Sequence, residues 1–270
     1  MAIPSGKTIV ITGASSGIGK ELRKLLTEHG NTVVNISRHP DKSDDLSYLA
    51  DMGDRERVSE VFKDIGSRFG KIDILFCNAG YGLSGPVELI PDTEIEKIND
   101  ANFLGAVWCT RSALPYIPRG GRIIYTGSVS GIIPMPYRTM YNSTKAALIE
   151  FAMSMSMELK PLGISSSVML VAAVETDFAS RRTKFTTADP RYAEAVSACD
   201  EFIDGKGGKN ATGKLTARKA AEKIARRAGK RRAPLRSLIA TPLYYLAYPL
   251  ALLCPSLVIR IVAKVFMGKA

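Results

Sequence analysis

Thr12-Gly13-Ala14-Ser15-Ser16-Gly17-Ile18-Gly19 joins the apolar run Thr8-Ile9-Val10-Ile11 to an amphipathic segment from Lys20 to Leu26. That order reads as strand, glycine-rich turn, helix. The pyrophosphate of a dinucleotide has to approach the backbone closely, over unsatisfied amide groups at the positive end of a helix dipole. Gly13 suits the tight turn, while Gly17 and Gly19 permit close approach and close packing. Gly13, Ser15, Ser16, Gly17, Ile18 and Gly19 are therefore the candidate cradle. The spacing differs from Gly-x-Gly-x-x-Gly, which leaves a plain loop as the competing reading; the position directly after a first strand favours the nucleotide.

Working outward, Thr32 to Ile36 is β-branched and apolar enough for a second buried strand, and Ser37-Arg38 ends it. In dinucleotide folds an acidic residue about 20 positions beyond the glycines binds the ribose 2′-hydroxyl, and a nearby Arg accepts a 2′-phosphate instead. No carboxylate occurs here before Asp41. A guanidinium binds phosphate through charge-assisted hydrogen bonds, so Ser37 and Arg38 favour NADP(H) over NAD(H); the bland reading is an Arg38 that is merely exposed. Leu46–Ala50, Ile72–Cys77, Gly121–Thr126, Ser165–Val171 and Leu235–Thr241 read as further strands. Between them fall helices from about 55 to 68, from Asp92 or Thr93 as N-cap to about Tyr116, from Tyr141 to Leu159, and from 217 to 232 after a Thr216 cap. The fold class is α/β, a Rossmann-type doubly wound parallel sheet of about seven strands with helices on both faces.

A chain of 270 residues can bury a large core, and the expectation is one domain over 1–270. Residues 177–215, with Gly205, Gly207 and Gly208, read as a substrate-covering lid and mobile loop, and 216–270 as a basic and apolar helical extension. The N-terminus enters a strand without a charged-then-apolar leader. Cys77, Cys109, Cys199 and Cys254 lack metal-ligand spacing, so reduced thiols in a cytoplasmic protein, and no metal site, are expected. His29 and His39 suit surface or capping roles.

The net charge of +11 is unevenly placed: Lys206 to Ala270 holds fifteen Lys and Arg against Glu222 alone, +14, which leaves −3 for the first 205 residues. Such a basic tail fits an anionic partner or a solvated helix surface. It lacks the interleaved aromatics of a nucleic-acid surface, so no nucleic-acid partner is expected. Ser237 to Ile259 is uncharged and long enough to cross a bilayer, but Pro242, Pro249 and Pro255 break it. Two apolar helices, Leu243–Leu253 and Leu257–Phe266, remain beside a basic one, which suits peripheral contact with an anionic membrane or cover for the protein's own pocket or a subunit interface.

The spacing Thr-Gly-x-x-x-Gly-x-Gly, followed in order by Asn78-Ala79-Gly80, Asn102, Ser128 and the pair Tyr141 and Lys145, resembles the short-chain dehydrogenase/reductase family over roughly residues 5 to 180. The resemblance makes Asn102, Ser128, Tyr141 and Lys145 the candidate catalytic tetrad. It also implies that Asn78-Ala79-Gly80 is a structural turn against the cofactor, that Asp51-Met52 contacts adenine, that Val174 and Thr176 meet the nicotinamide end, and that Lys145 binds the ribose hydroxyls. Asn102 would support a water linking Lys145 to solvent. Where the family usually has Pro-Gly after the sixth strand this chain has Ala172-Ala173, which predicts a looser turn. The implied chemistry is interconversion of a ketone and a secondary alcohol: Tyr141 as acid or base, Lys145 as the cation that favours its phenolate, and Ser128 as hydrogen-bond donor to the substrate oxygen. An apolar small-molecule carbonyl or alcohol such as a steroid, retinoid or long-chain ketone fits Ser84 to Val87 and Ile132 to Tyr137. The resemblance further implies a homodimer or homotetramer. The competing class is a cofactor-binding scaffold or redox-sensing regulator without turnover, against which an intact tetrad speaks.

Overall fold

The structure, a computed structural model, describes residues 3–205, 213–231 and 234–267. β1 (Thr8–Thr12), β2 (Thr32–Ser37), β3 (Ser47–Leu49), β4 (Ile74–Cys77), β6 (Arg122–Ser128), β7 (Ser165–Val171) and β11 (Arg236–Ile239) form one parallel sheet in the order β11-β7-β6-β4-β1-β2-β3. Ile9, Val10 and Ile11 are fully buried, because a strand in a parallel sheet is covered on both faces and reads as a continuous apolar run. One face is covered by α2 (Arg55–Phe69), α4 (Gly105–Ala113) and α5 (Thr139–Glu158), through Phe62, Ile65, Cys109, Leu148 and Ala152. On the other face lie α1 (Gly17–Glu28) and α7 (Ala217–Ala228), with Leu22, Leu25, Leu26, Ala221 and Ile224 against Ile9 and Ile11. The strand order thus reverses between β1 and β4, where helices on opposite faces diverge and a crevice opens beyond the strands' carboxyl ends.

Local chemistry fixes the helix ends. Asp54 caps α2 by accepting the Arg57 N–H at 2.9 Å, and Gly70 closes it with φ 71°. Thr216 caps α7 by accepting the Lys219 N–H, as the sequence predicts, and that helix stops at Gly229, short of the expected 232. His29 serves as the C-cap of α1. Gly207, Gly208 and Arg232 lie outside the described residues.

Two expectations need correction. The segment from 92 to 116 is α3 (Asp92–Asn99), a π turn over Asp100–Leu104, α4 and a 3-10 turn at Leu114–Tyr116; Pro91, rather than Asp92 or Thr93, is the N-cap residue. The segment expected to form a lid and loop is not irregular throughout. It contains α6 (Ala193–Asp204), which buries Val196 and Cys199 and ends on the left-handed Gly205. Two small parallel ladders pin it: β5 (Leu83–Ser84) with β9 (Thr183–Lys184), and β8 (Val174–Glu175) with β10 (Leu215–Thr216). Finally, α8 (Pro242–Leu253) and α9 (Pro255–Met267) each start on a proline, which suits a first helical position. α9 packs on α6 as well as on α8.

Candidate active site

The glycine turn is shaped by its neighbours. Gly13 has φ 72°, and a Cβ there would stand 3.0 Å from the Cα of Ala79. A Cβ on Gly19 would collide with the Gly13 carbonyl oxygen and come within 2.7 Å of Asn78 Nδ2. No side chain caps α1 at Ser16, and its first turn holds no acidic residue, so orphan amide donors remain at the positive end of the helix. A backbone cradle of this kind, closed by glycine and free of carboxylates, fits a pyrophosphate.

Asn78 ties three strands at the floor of the crevice. Its Nδ2 donates to the Thr12 carbonyl at 3.0 Å, its backbone N–H to Thr12 Oγ1 at 2.9 Å, and its Oδ1 accepts from Thr126 Oγ1 at 3.2 Å. At the end of β2 Arg38 is exposed, whereas Ser37 is buried with its hydroxyl accepting from Asn35 Nδ2 at 3.1 Å. Arg38 is thus the side chain of that pair open to a ligand. Asp51 is likewise exposed and its Oδ1 accepts the Gly53 N–H, while Met52 turns inward to Cys109 and Gly105.

Asn102 sits in the π turn, a helix irregularity that frequently marks functional sites. Its amide makes a two-way bridge to Tyr81: Oδ1 accepts the Tyr81 N–H and Nδ2 donates to the Tyr81 carbonyl, both at 2.9 Å, with a third bond to Thr144 Oγ1 at 3.3 Å. The side chain therefore fastens the segment after Gly80 to α5. Tyr141 and Lys145, four residues apart on the opening turns of α5, are both buried. Lys145 Nζ donates to the Thr126 carbonyl at 2.9 Å and lies 5.9 Å from the centre of the Tyr141 ring. Burial holds the Lys145 ammonium below its usual range, partly opposed by Tyr141. Ser128 closes β6 two residues after Thr126, with its hydroxyl accepting the Ser130 N–H at 3.1 Å. Phe178, just beyond β8, stands against Tyr141, ring centres 5.8 Å apart.

Thr176 arrives over the glycine turn, its methyl 3.6 Å from where a Cβ on Gly17 would be, and Val174 just before it is held in the β8–β10 ladder. The turn at Ala172-Ala173 is not loose. The Ala172 N–H donates to the Ile239 carbonyl and the Ala173 carbonyl accepts the Leu215 N–H, both at 3.1 Å. A proline at 172 has no N–H to make the first bond, so this pair of alanines exchanges ring rigidity for two backbone ties.

Several participants escape the sequence. Asn35 is buried within β2, and its Oδ1 accepts the Ala14 N–H at 3.0 Å. Arg138 stacks on Tyr141, 4.2 Å from guanidinium carbon to ring centre. Arg182, fully buried, pairs with Asp200 at 2.5 Å and with Asp204 on α6. The one available signal is a polar residue inside an apolar strand, for Asn35. Among the described residues no group of histidine, cysteine and carboxylate side chains is arranged to hold a metal.

Comparison with known proteins gives the family. The short chain dehydrogenase family profile matches residues 7–186. The chain is 30% identical to the 3-ketodihydrosphingosine reductase of Bacteroides thetaiotaomicron, over 73% of this chain and 75% of that one. It is 28% identical to the NADPH-dependent 1-acyldihydroxyacetone phosphate reductase of Saccharomyces cerevisiae, over 71% of this chain and 69% of that one. A short-chain dehydrogenase from Streptomyces avermitilis superposes with a TM-score of 0.80 at 25% identity, over 99% of this chain and all of that one. With a nucleotide cradle, a buried Tyr-Lys pair and these relatives together, the chain belongs to the short-chain dehydrogenase family: an oxidoreductase of CH–OH and C=O groups built on a nicotinamide-dinucleotide fold.

Proposed function

We propose that the protein is an NADP(H)-dependent oxidoreductase that interconverts a ketone and a secondary alcohol on an apolar substrate. The observation that carries the reading is the buried pair Tyr141 and Lys145, with Lys145 tied to the Thr126 carbonyl two residues from Ser128. When bound, the dinucleotide supplies the hydride. In reduction the Tyr141 hydroxyl donates its proton to the carbonyl oxygen; in oxidation the phenolate takes it back. The ammonium of Lys145 stabilises the phenolate and binds the ribose hydroxyls. The Ser128 hydroxyl donates to the substrate oxygen and steadies the charge developing there. Asn102 fixes the wall behind Lys145 through Tyr81 and Thr144.

The exposed Arg38, with no carboxylate before Asp41, supports NADP(H). Phe178 and Leu83 beside Tyr141 support an apolar substrate, and the keto compounds in the names of the two reductase relatives support a ketone. A screen of long-chain and cyclic ketones with NADPH and NADH, followed by nicotinamide absorbance, tests the reading. No turnover with any ketone or alcohol would favour a cofactor-binding scaffold.

We further propose that α8 and α9 rest on an anionic membrane surface. Leu246 and Leu253 are 74% and 81% exposed, and Leu250, Leu257, Ile259, Ile261 and Val265 are also open. Arg260 and Lys264 are exposed among them, and the strongly basic α7 belongs to the same tail. An open apolar face flanked by cations suits the headgroup boundary of anionic lipid. No described helix is long and apolar enough to cross a membrane. Salt-sensitive sedimentation with anionic vesicles, lost on deletion after Thr241, is the expected result; equal behaviour with neutral vesicles would leave these helices as cover for the chain itself.

A further inference from the structure

A buried guanidinium stands on the proposed proton donor without a carboxylate of its own. Arg138, the residue at the N-terminal boundary of α5, is 8% exposed, its Cζ lies 4.2 Å from the Tyr141 ring centre, and its Nε is buried with no hydrogen-bond partner. The contacts of the guanidinium are with Tyr141 and, at 4.0 Å from Nη1, the Met135 sulfur. Asp200, the acid whose charge reaches it, is already engaged, as is Asp204 one helical turn further on. Asp200 accepts from Arg182 at 2.5 Å and from Ser84 Oγ at 3.0 Å, and Asp204 is shared by Arg182 and by Lys184 at 2.7 Å. Asp200 and Asp204 thus answer Arg182 and Lys184, while Arg138 Nε keeps no partner. Burying a cation away from water is costly unless an anion joins it.

The surroundings place that cation beside the proposed proton donor. A Cβ on Gly82 would stand 3.5 Å from Arg138 Nη2 and 3.4 Å from Phe178 Cε1, so the guanidinium lies in the wall formed by Gly82, Met135 and Phe178 around Tyr141. Its planar fork matches a carboxylate or phosphate with two parallel hydrogen bonds. We propose that Arg138 is the anchor for an anionic group on the substrate, a phosphate monoester or a carboxylate a few bonds from the carbonyl that Tyr141 protonates. The assignment rests on Tyr141 as proton donor. It makes the substrate amphiphilic: an apolar body, a ketone at Tyr141 and Ser128, and a charged end at Arg138.

Three probes of equal length separate the cases: a long-chain hydroxymethyl ketone, its phosphate monoester, and a γ-keto carboxylate, each assayed with NADPH. The expected result is that at least one anionic probe exceeds the neutral ketone in kcat/KM by about tenfold or more, mostly through KM, and that Arg138→Met brings the ratio close to one. Arg138→Lys keeps part of the ratio. Which anionic probe leads identifies the group. A preference that survives in Arg138→Met overturns the proposal, and so does a loss in kcat that falls equally on neutral and anionic probes with a shifted pH profile, since that would make Arg138 a positioning residue for Tyr141. If Arg138→Met does not fold, the unmutated protein decides: an alkyl phosphate competes with the ketone and not with NADPH, whereas the matching alkyl alcohol does so far more weakly. Calorimetric titration of the NADPH-loaded Tyr141→Phe protein with that alkyl phosphate tests the anchor alone. Binding there with no ketone reduced by the parent would refute the reaction and keep the anchor; reduction of ketones with no binding would do the reverse.

Discussion

Asn35→Ala should unfasten the glycine turn from the second strand. The Asn35 side chain accepts the buried Ala14 N–H at 3.0 Å and donates to Ser37 Oγ and Ser47 Oγ, each at 3.1 Å. Truncation orphans the Ala14 donor, which costs about 1–3 kcal/mol. The void and the lost bond to Ser37 bring the total to roughly 2–4 kcal/mol. Ser47 suffers little, because its hydroxyl still donates to Asp44 Oδ2 at 2.7 Å. At roughly 2–4 °C per kcal/mol for a chain of this size, melting should fall by about 4–16 °C. Because Ala14 lies within the proposed pyrophosphate cradle, NADPH affinity should drop as well, by about tenfold. Circular-dichroism melting and NADPH fluorescence titration measure the two effects, with Ser47→Ala as the control expected to stay within about 1 kcal/mol of the parent. An Asn35→Ala protein that melts within a degree of the parent and binds NADPH equally well would refute the reasoning.

Two further outcomes are expected. Arg38→Ala should erase most of a preference for NADPH over NADH of at least about tenfold, or ~1.4 kcal/mol, in equilibrium titrations; equal affinities in the unmutated protein would overturn the role given to Arg38. Lys145→Met tests the buried ammonium through pH: burial holds the folded-state pKa of Lys145 below its ordinary 10.5, so the unfolded chain binds more protons in that window and parent stability rises with pH toward 10.5. The melting gap between parent and Lys145→Met should therefore shift in the parent's favour as pH climbs through that window; a constant gap would contradict burial as the leading influence.

The sheet was legible because its strands are apolar runs punctuated by glycine, and the site because its polar residues stand where such a chain has little other use for them. Asn102 within a helical pattern and Ser128 at a strand end are of that kind. What stayed hidden depends on contacts distant in sequence. Arg138 looks like an ordinary surface residue until Gly82, Phe178 and Asp200 close around it. The helix Ala193–Asp204 carries an apolar spacing at Val196 and Cys199 but lies in a stretch whose glycines suggest a loop. The inward turn of Ser37 follows from Asn35, two residues away on the same face of its strand. The firmness of Ala172-Ala173 comes from pairing with Ile239 and Leu215, which no local pattern announces.

The most direct test of the proposed reaction is single-turnover reduction by Tyr141→Phe, using the best ketone from the screen and saturating NADPH. The variant loses one buried hydroxyl and keeps the ring between Phe178 and Arg138. Its melting temperature and NADPH affinity should match the parent, while the hydride-transfer rate falls by ~100-fold or more, the scale for losing a positioned proton donor. A rate near that of the parent, with cofactor bound and the fold intact, would remove Tyr141 from the chemistry.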